Sequence, residues 1–319
     1  LSTAVKSKDP VHKVLAREAL GFTSFAYGDL PEAHKHLQES IAMCEDEKEA
    51  AYHDLSAQDP RVHVRLYDGM ILWLLGYPDQ AVRMCAEARG YAGRSQHPFT
   101  QAMADTISLR INQFRGEAGA VTREAAHAIE LCEAHDFVHY LAMALLLRGW
   151  ARAVQGDFDG GLAEMRKGLD MERRTGARLY EPYSLALLGD ACLRHGHVSL
   201  AMEYLSQAKD RLDERSGGRF YEAEIYRLLG EATVRSGQDP EQADRLFRKG
   251  LEIARRQNAK SLELRLAMSL HDLAAGNGQR SKYQRQLAKI VEWFNEGFDT
   301  ADLVAARSRL SDTAVAAGK

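Results

Sequence analysis

Apolar side chains along this 319-residue chain return every three or four positions in long stretches, and short glycine-bearing turns separate the stretches. Six of those turn glycines, Gly28, Gly76, Gly116, Gly156, Gly196 and Gly237, stand 48, 40, 40, 40 and 41 residues apart. A period near forty that holds two amphipathic helices predicts an array of helical hairpins. Each unit is too small to bury its own apolar face and does so by stacking on its neighbours.

Small residues mark where the helices should meet. Seven residues before the turn glycine stands a second glycine in five of six units, Gly21, Gly69, Gly149, Gly189 and Gly230, with Leu109 the exception. A glycine inside a helix costs about 1 kcal/mol relative to alanine, so its recurrence at one register predicts a close crossing of two helices. Five residues after the turn come Ala33, Ala81, Val121, Gly161 and Ala201, and seven further on Ser40, Ala88, Ala128, Gly168 and Ala208. Gly237 has one extra residue before the same pair, Ala243 and Gly250. A spacing of seven returns to one helix face, so the second helix of each hairpin shows its partner a stripe of small side chains. Strings such as GDLPEA (Gly28 to Ala33) and GYPDQA (Gly76 to Ala81) end one helix with glycine and open the next with proline.

A seventh turn falls at Gly276 to Gly278, and its second helix, YQRQLAKIVEWF from Tyr283, lacks the small stripe. A further helix from about Thr300 to Thr313 is expected to cap the array, seated by Trp293 and Phe294. The expected organisation is a linker over 1–10, repeats over 11–298, and a capping helix and tail over 299–319. The excess length between the first two turns falls in Asp46 to Pro60, which is either extra helix or a projecting loop.

Composition narrows the function classes. A formal net charge of −3 and a pI near 6.5 provide no global basic field for nucleic acid. Cys44, Cys85, Cys132 and Cys192 form no CxxC pair and fall on apolar registers, as expected of reduced, buried thiols in a cytoplasmic protein. No run is apolar enough to span a membrane and no signal peptide is visible, while the start at Leu1 reads as a fragment of a longer protein. Phosphate-loop, dinucleotide and H-E-x-x-H patterns are absent. His34 and His36, like His195 and His197, are two apart and point to different helix faces. Glu222 and Glu224 read as a solvated face. Arg173, Arg174, Arg178, Arg255, Arg256 and Lys260 sit at helix C-termini, where they complement the dipole. No catalytic residue, metal site or cofactor is expected, and the chain does not read as an enzyme.

Two helices per unit, with a helical glycine seven before a turn glycine and small residues five and twelve after it, resemble the tetratricopeptide repeat. The strings QDPRVHVRLYDGMILWLLGYPDQA from Gln58, RFYEAEIYRLLGEA from Arg219 and EWFNEGFDTADLVAARSRL from Glu292 narrow the likeness. They are similar to the C-terminal repeat region of bacterial signalling proteins that join a class III adenylate or guanylate cyclase domain, or a DNA-binding domain, to a signalling ATPase. The resemblance implies an all-α solenoid of about seven repeats forming a superhelix, and it carries over no catalytic residue.

In tetratricopeptide arrays the first helix of each pair lines the concave face, with inward positions thirteen, ten, six, three and two residues before the turn glycine. The units in order contribute Phe22 and Phe25; His63, Met70 and Trp73; Met103, Arg110, Gln113 and Phe114; Met143 and Trp150; Tyr183, Asp190 and Arg194; and Glu224, Tyr226, Glu231 and Arg235. The stripe begins apolar and methionine-rich and ends aromatic and charged. Two readings follow: a scaffold that docks a peptide, a partner protein or another domain of the same polypeptide in the groove, or a sensor of a small molecule or sugar that switches an attached domain. Neither nucleic acid nor membrane is an expected partner.

Overall fold

The computed structural model describes residues 10–45, 59–95, 97–212, 217–274 and 280–317. The linker through Asp9, almost all of the Asp46 to Pro60 stretch and the Gly276 to Gly278 turn lie outside the described residues. Among the described residues the chain is a tetratricopeptide-like solenoid of seven helical hairpins and a terminal helix. The hairpins pair α1 (Pro10–Tyr27) with α2 (Leu30–Glu45), α3 (Pro60–Leu75) with α4 (Pro78–Ser95), and α5 (Pro98–Phe114) with α6 (Ala118–Ala134). They continue with α7 (Val138–Val154) and α8 (Phe158–Arg174), α9 (Glu181–Arg194) and α10 (Val198–Asp210), α11 (Glu222–Arg235) and α12 (Pro240–Arg256), and α13 (Lys260–Leu273) and α14 (Arg280–Trp293). A short 3-10 turn, Arg219–Tyr221, precedes α11, and α15 (Ala301–Ala317) closes the chain. None of these helices is long and apolar enough to cross a membrane.

At Gly76 the backbone is left-handed, with φ of 100°, and the amide of Tyr77 reaches back to the Leu72 carbonyl at 2.8 Å. The same reach closes the turns at Gly28, Gly116, Gly156 and Gly196. Two return turns between hairpins achieve it without glycine, through Asp136 and Asn258 at φ of 57° and 55°. These escape a glycine-based reading because Asn and Asp tolerate the left-handed region.

The glycine register does bring helices together. A Cβ placed on Gly149 would lie 2.6 Å from the Gly161 carbonyl oxygen, and one on Gly161 would lie 2.5 Å from that of Gly149. Helices α7 and α8 therefore touch backbone to backbone. At Gly189 and Gly230 the opposing atoms belong instead to Leu205 and Phe247, whose bulk fills the space that the glycine leaves. All four cysteines are buried, and none is in a disulfide. Burial pushes the Cys85 thiol up to about 12 and those of Cys132 and Cys192 to about 11, so these three stay protonated at neutral pH.

The superhelix curls until its last units meet its first. Gln257, whose Nε2 donates to the Arg219 carbonyl at 2.8 Å, packs against Gly28 of the first hairpin, and Ser261 Oγ of α13 donates to the Trp73 carbonyl of α3 at 2.6 Å. A reciprocal latch holds the seam. Glu296 Oε1 accepts from the amides of Asp79 and Gln80 at 2.9 and 3.0 Å, capping α4 from 217 residues away, while Asp79 Oδ2 accepts from the Gly297 amide at 3.0 Å. A carboxylate at a helix N-terminus satisfies unpaired donors and complements the dipole. Glu296→Ala is expected to cost about 1 kcal/mol by urea denaturation, with exposed Glu292→Ala as a near-neutral control.

Phe294 seats α15 as expected, packed with Leu264, Met268, Leu287, Leu303 and Ala306. Trp293 does not share that role. It remains 39% exposed and turns back onto Tyr77 of the second unit, ring centroids 5.6 Å apart, which adds to the seam.

Candidate functional site

Closure makes the lumen narrow, and the aromatic residues of the inner stripe meet across it. Phe25 of α1 stacks on Phe220 at 4.5 Å, Trp73 of α3 stacks on Phe114 of α5 at 4.6 Å, and Phe114 stacks on Tyr221 at 6.0 Å. Tyr183 of α9 sits edge-on to Tyr221 at 5.0 Å, and its hydroxyl donates to Gln113 Oε1 at 2.8 Å. None of the rings of Phe25, Trp73, Phe114, Tyr183, Phe220 and Tyr221 is more than 2% exposed. They plug the middle of the channel and leave a cavity on either side.

One cavity, of about 450 Å³, is lined by the C-terminal halves of α5, α7 and α9 together with α11, α13 and the start of α15. Five arginines and five carboxylates line it, and each arginine is paired. Arg194 reaches Asp190 at 2.8 Å, Arg227 reaches Glu224 at 2.9 Å, Arg265 reaches Asp302 at 2.8 Å and Glu224 at 3.3 Å, and Arg309 reaches Asp272 at 2.8 Å. Arg115 pairs with Glu117 at 2.6 Å, just outside the lining. Between the charges stand Trp150, Leu187, Tyr221 and Met268, with the Trp150 indole donating to Asp190 Oδ2 at 3.3 Å. Burial alone would raise the Glu224 carboxyl, but the charges of Arg227 and Arg265 outweigh it and hold the group down at about 2.

The other cavity, also about 450 Å³, opens at the N-terminal ends of α3 and α7, the middle of α5 and the connection into α9, and against α1. Its walls are Leu15, Phe22, Tyr67, Tyr140, Met143 and Leu179. At its rim His63 Nδ1 lies 2.6 Å from Glu18 Oε1. Arg110, 1% exposed, sits below with its guanidinium 3.7 Å from the centre of the Tyr180 ring, and Tyr180 donates its hydroxyl to Tyr67 at 2.8 Å.

Of the eighteen stripe residues that the sequence proposes, Phe25 and Phe114 stand in the plug just described, and the other sixteen divide among these places. Gln113, Trp150, Asp190, Arg194, Glu224 and Glu231 meet in the charged cavity, and Phe22, His63 and Met143 in the apolar one. Trp73 and Tyr183 belong to the plug, Arg110 lies beneath Tyr180, and Met70 and Met103 are core residues with no exposed surface. These five are packed inside and are not an open concave face. Tyr226 is half-buried beside the core and outside both cavities, and the exposed Arg235 donates to the Leu193 carbonyl.

The register explains the misplacement of Tyr226. It stands eleven residues before Gly237, whereas Arg227 stands ten before it and lines the charged cavity. The same offsets counted from Gly278 reach Arg265, Met268 and Asp272, all in that cavity. Asp302 and Arg309 come from α15, which has no repeat register to reveal them.

The remaining polar features are structural ties. His195 and His197 both stack on Phe158, at 4.8 and 4.5 Å. Arg173 binds the buried Glu181 and Arg255 the buried Glu263, each at 2.9 Å and each across one inter-hairpin turn. No group of His, Cys, Asp or Glu among the described residues is arranged to hold a metal ion.

No family model matches the sequence, and no curated protein matches it. Solved structures do. The apo form of RapI is 10% identical over 94% of this chain and 99% of its own, with a TM-score of 0.55. A Rap protein complexed with competence and sporulation factor is 11% identical over 94% and 97%, also at 0.55. A signal transduction ATPase with numerous domains and a tetratricopeptide repeat sensor, from Pyrococcus horikoshii, is 15% identical over 100% of this chain but 48% of its own, at 0.54. At these identities the likeness is one of fold, a tetratricopeptide superhelix.

Proposed function

We propose that this chain is a non-catalytic recognition module that holds a peptide segment of a partner protein, or of another domain of its own polypeptide, in the charged cavity. The observation that carries this reading is the lining itself: five arginines, each ion-paired, and five carboxylates around Trp150, Leu187 and Met268. Matched pairs of both signs can exchange partners with a ligand that also carries both signs, and the apolar patches between them provide anchors. A peptide has that mixture of charge, hydrogen-bonding backbone and apolar side chains.

Two neighbours support the placement in a signalling setting. One Rap structure holds competence and sporulation factor, and the Pyrococcus ATPase is described as carrying its repeats as a sensor. By analogy, the module belongs to a larger cytoplasmic, bacterial signalling protein with a cyclase, ATPase or transcription-regulator output. Ligand binding would bias the closed superhelix relative to a more open one and so reach the attached domain. The apolar cavity favours the small-molecule sensor as a second reading.

The test is selection of displayed random short peptides on the immobilised chain, followed by titration of the enriched sequences. Trp150→Ala and Asp190→Ala are each expected to weaken binding by about tenfold or more, because they sit centrally in the cavity. Retention of full affinity by both variants would remove the assignment.

A further inference from the structure

Behind the Tyr180 wall of the apolar cavity lies a buried cation that the peptide reading does not use. Arg110 follows Ile107 by one helical turn on the same face of α5, and Ile107 lines the cavity. Its guanidinium is buried at 1% exposure, yet Nε and Nη1 have no hydrogen-bond partner, and among the described residues no carboxylate lies within ion-pair distance of it. An arginine stays charged under all ordinary conditions, so an unpaired one in the interior is costly. Its cover is a tyrosine ring at 3.7 Å. A second ring, that of Tyr183, stands at 5.5 Å. These rings attract the cation without neutralising it.

Glu172 is a buried carboxyl that feels the charge of Arg110, and it does not fill the gap. Glu172 Oε2 is taken by the Ser184 hydroxyl at 2.8 Å, Oε1 has no partner, and burial raises the group above the usual carboxylate range. Above the guanidinium the walls are Leu15, Phe22, Tyr140 and Met143, enclosing about 450 Å³. That volume lies within the range of about 300–1,000 Å³ common to small-molecule sites.

We infer that this cavity is a binding site for a small apolar carboxylate, with its hydrocarbon body between Phe22, Tyr140 and Met143 and its carboxylate turned down to the unpaired Nε and Nη1 of Arg110. The Tyr180 ring, on the connection into α9, is the group that such a ligand displaces to reach the cation. The site stands at the opposite mouth of the lumen from the charged cavity and does not depend on the peptide reading. The plug rings Tyr183 and Phe114 lie between the two.

Calorimetric titration of the full chain with hydrocinnamate, and separately with its neutral amide, hydrocinnamamide, tests the assignment. The acid is expected to bind saturably and about tenfold or more tighter than the amide, since the amide cannot neutralise the buried cation. Met143→Trp fills the cavity without touching Arg110 and should abolish binding of both probes. Arg110→Met should erase the difference between them, and if that variant fails to fold, the comparison on the unmodified chain and on Met143→Trp still decides. Asp190→Ala, in the other cavity, should leave hydrocinnamate affinity unchanged even if peptide binding is lost. Equal affinity for acid and amide, absence of saturable binding, or binding that survives Met143→Trp overturns the inference.

Discussion

Glu224→Ala is expected to lower the stability of the chain by about 3 kcal/mol, the lower end of the range for breaking a buried ion pair. The carboxylate is 3% exposed and binds Arg227 through both oxygens at 2.9 Å while also reaching Arg265 at 3.3 Å. Removing it leaves two half-buried guanidinium groups, each with one remaining acidic neighbour: Arg265 keeps Asp302, and Arg227 keeps Glu231. Those residual partners place the loss at the low end. Arg265 also donates to the Phe114 carbonyl at 2.8 Å and lies 4.9 Å from the centre of the Trp73 ring, so disorder at Glu224 spreads to the plug.

The same group predicts a pH dependence. Its folded value of about 2 lies below its ordinary 4.5, so it binds fewer protons in the folded state than in the unfolded one over that window. The stabilisation is complete above pH 4.5 and disappears as pH falls toward 2, by about 3 kcal/mol at about 1.4 kcal/mol per unit. Urea denaturation of wild type and Glu224→Gln across that range should show curves that converge with acid. Parallel curves would mean that Glu224 is not held ionised by its arginines.

Gly161→Ala sets two opposing effects against each other. Alanine gains about 1 kcal/mol of helix propensity over glycine. Against it, the new Cβ would stand 2.5 Å from the Gly149 oxygen and 2.7 Å from the Ala153 nitrogen, both backbone atoms that no rotamer change can move. Because neither atom can move aside, separating α7 from α8 costs about 3 kcal/mol, the upper end for overpacking, so the net change is destabilising by about 2 kcal/mol. Gly93 in α4 has no atom within 4 Å of its would-be Cβ, and Gly93→Ala should be stabilising by up to about 1 kcal/mol. Opposite signs for the two substitutions in urea midpoints check the argument, and a stabilising Gly161→Ala would defeat it.

The hairpins were legible because each depends on neighbours in sequence: a turn glycine, a helical glycine and small residues at fixed offsets. Gly149 against Gly161 is such a pair. Closure was not legible, because it is the sum of small rotations over many interfaces. Nothing local to Asp79 or Glu296 announces that they will meet across the seam. The inward register selected helix faces that line the two cavities or form the plug, and Arg227, Arg265 and Asp272 would have joined the candidate site had it been held strictly and extended to Gly278. It did not distinguish lining from plug. Trp73, Phe114 and Tyr183 point inward as the offsets say, but a lumen narrow enough for them to touch is a property of the closed ring. The lone cation at Arg110 has no sequence signature at all, since its lack of a carboxylate partner depends on what folds around it.

Photo-cross-linking of a selected peptide to the chain, with the attachment points mapped by mass spectrometry, tests the central claim most directly. Adducts on Trp150, Tyr221, Met268 or their neighbours in α11 and α13 are the predicted result. Adducts confined to the outer helices α4, α6, α8 and α10 would contradict the assignment of the lumen as the working surface.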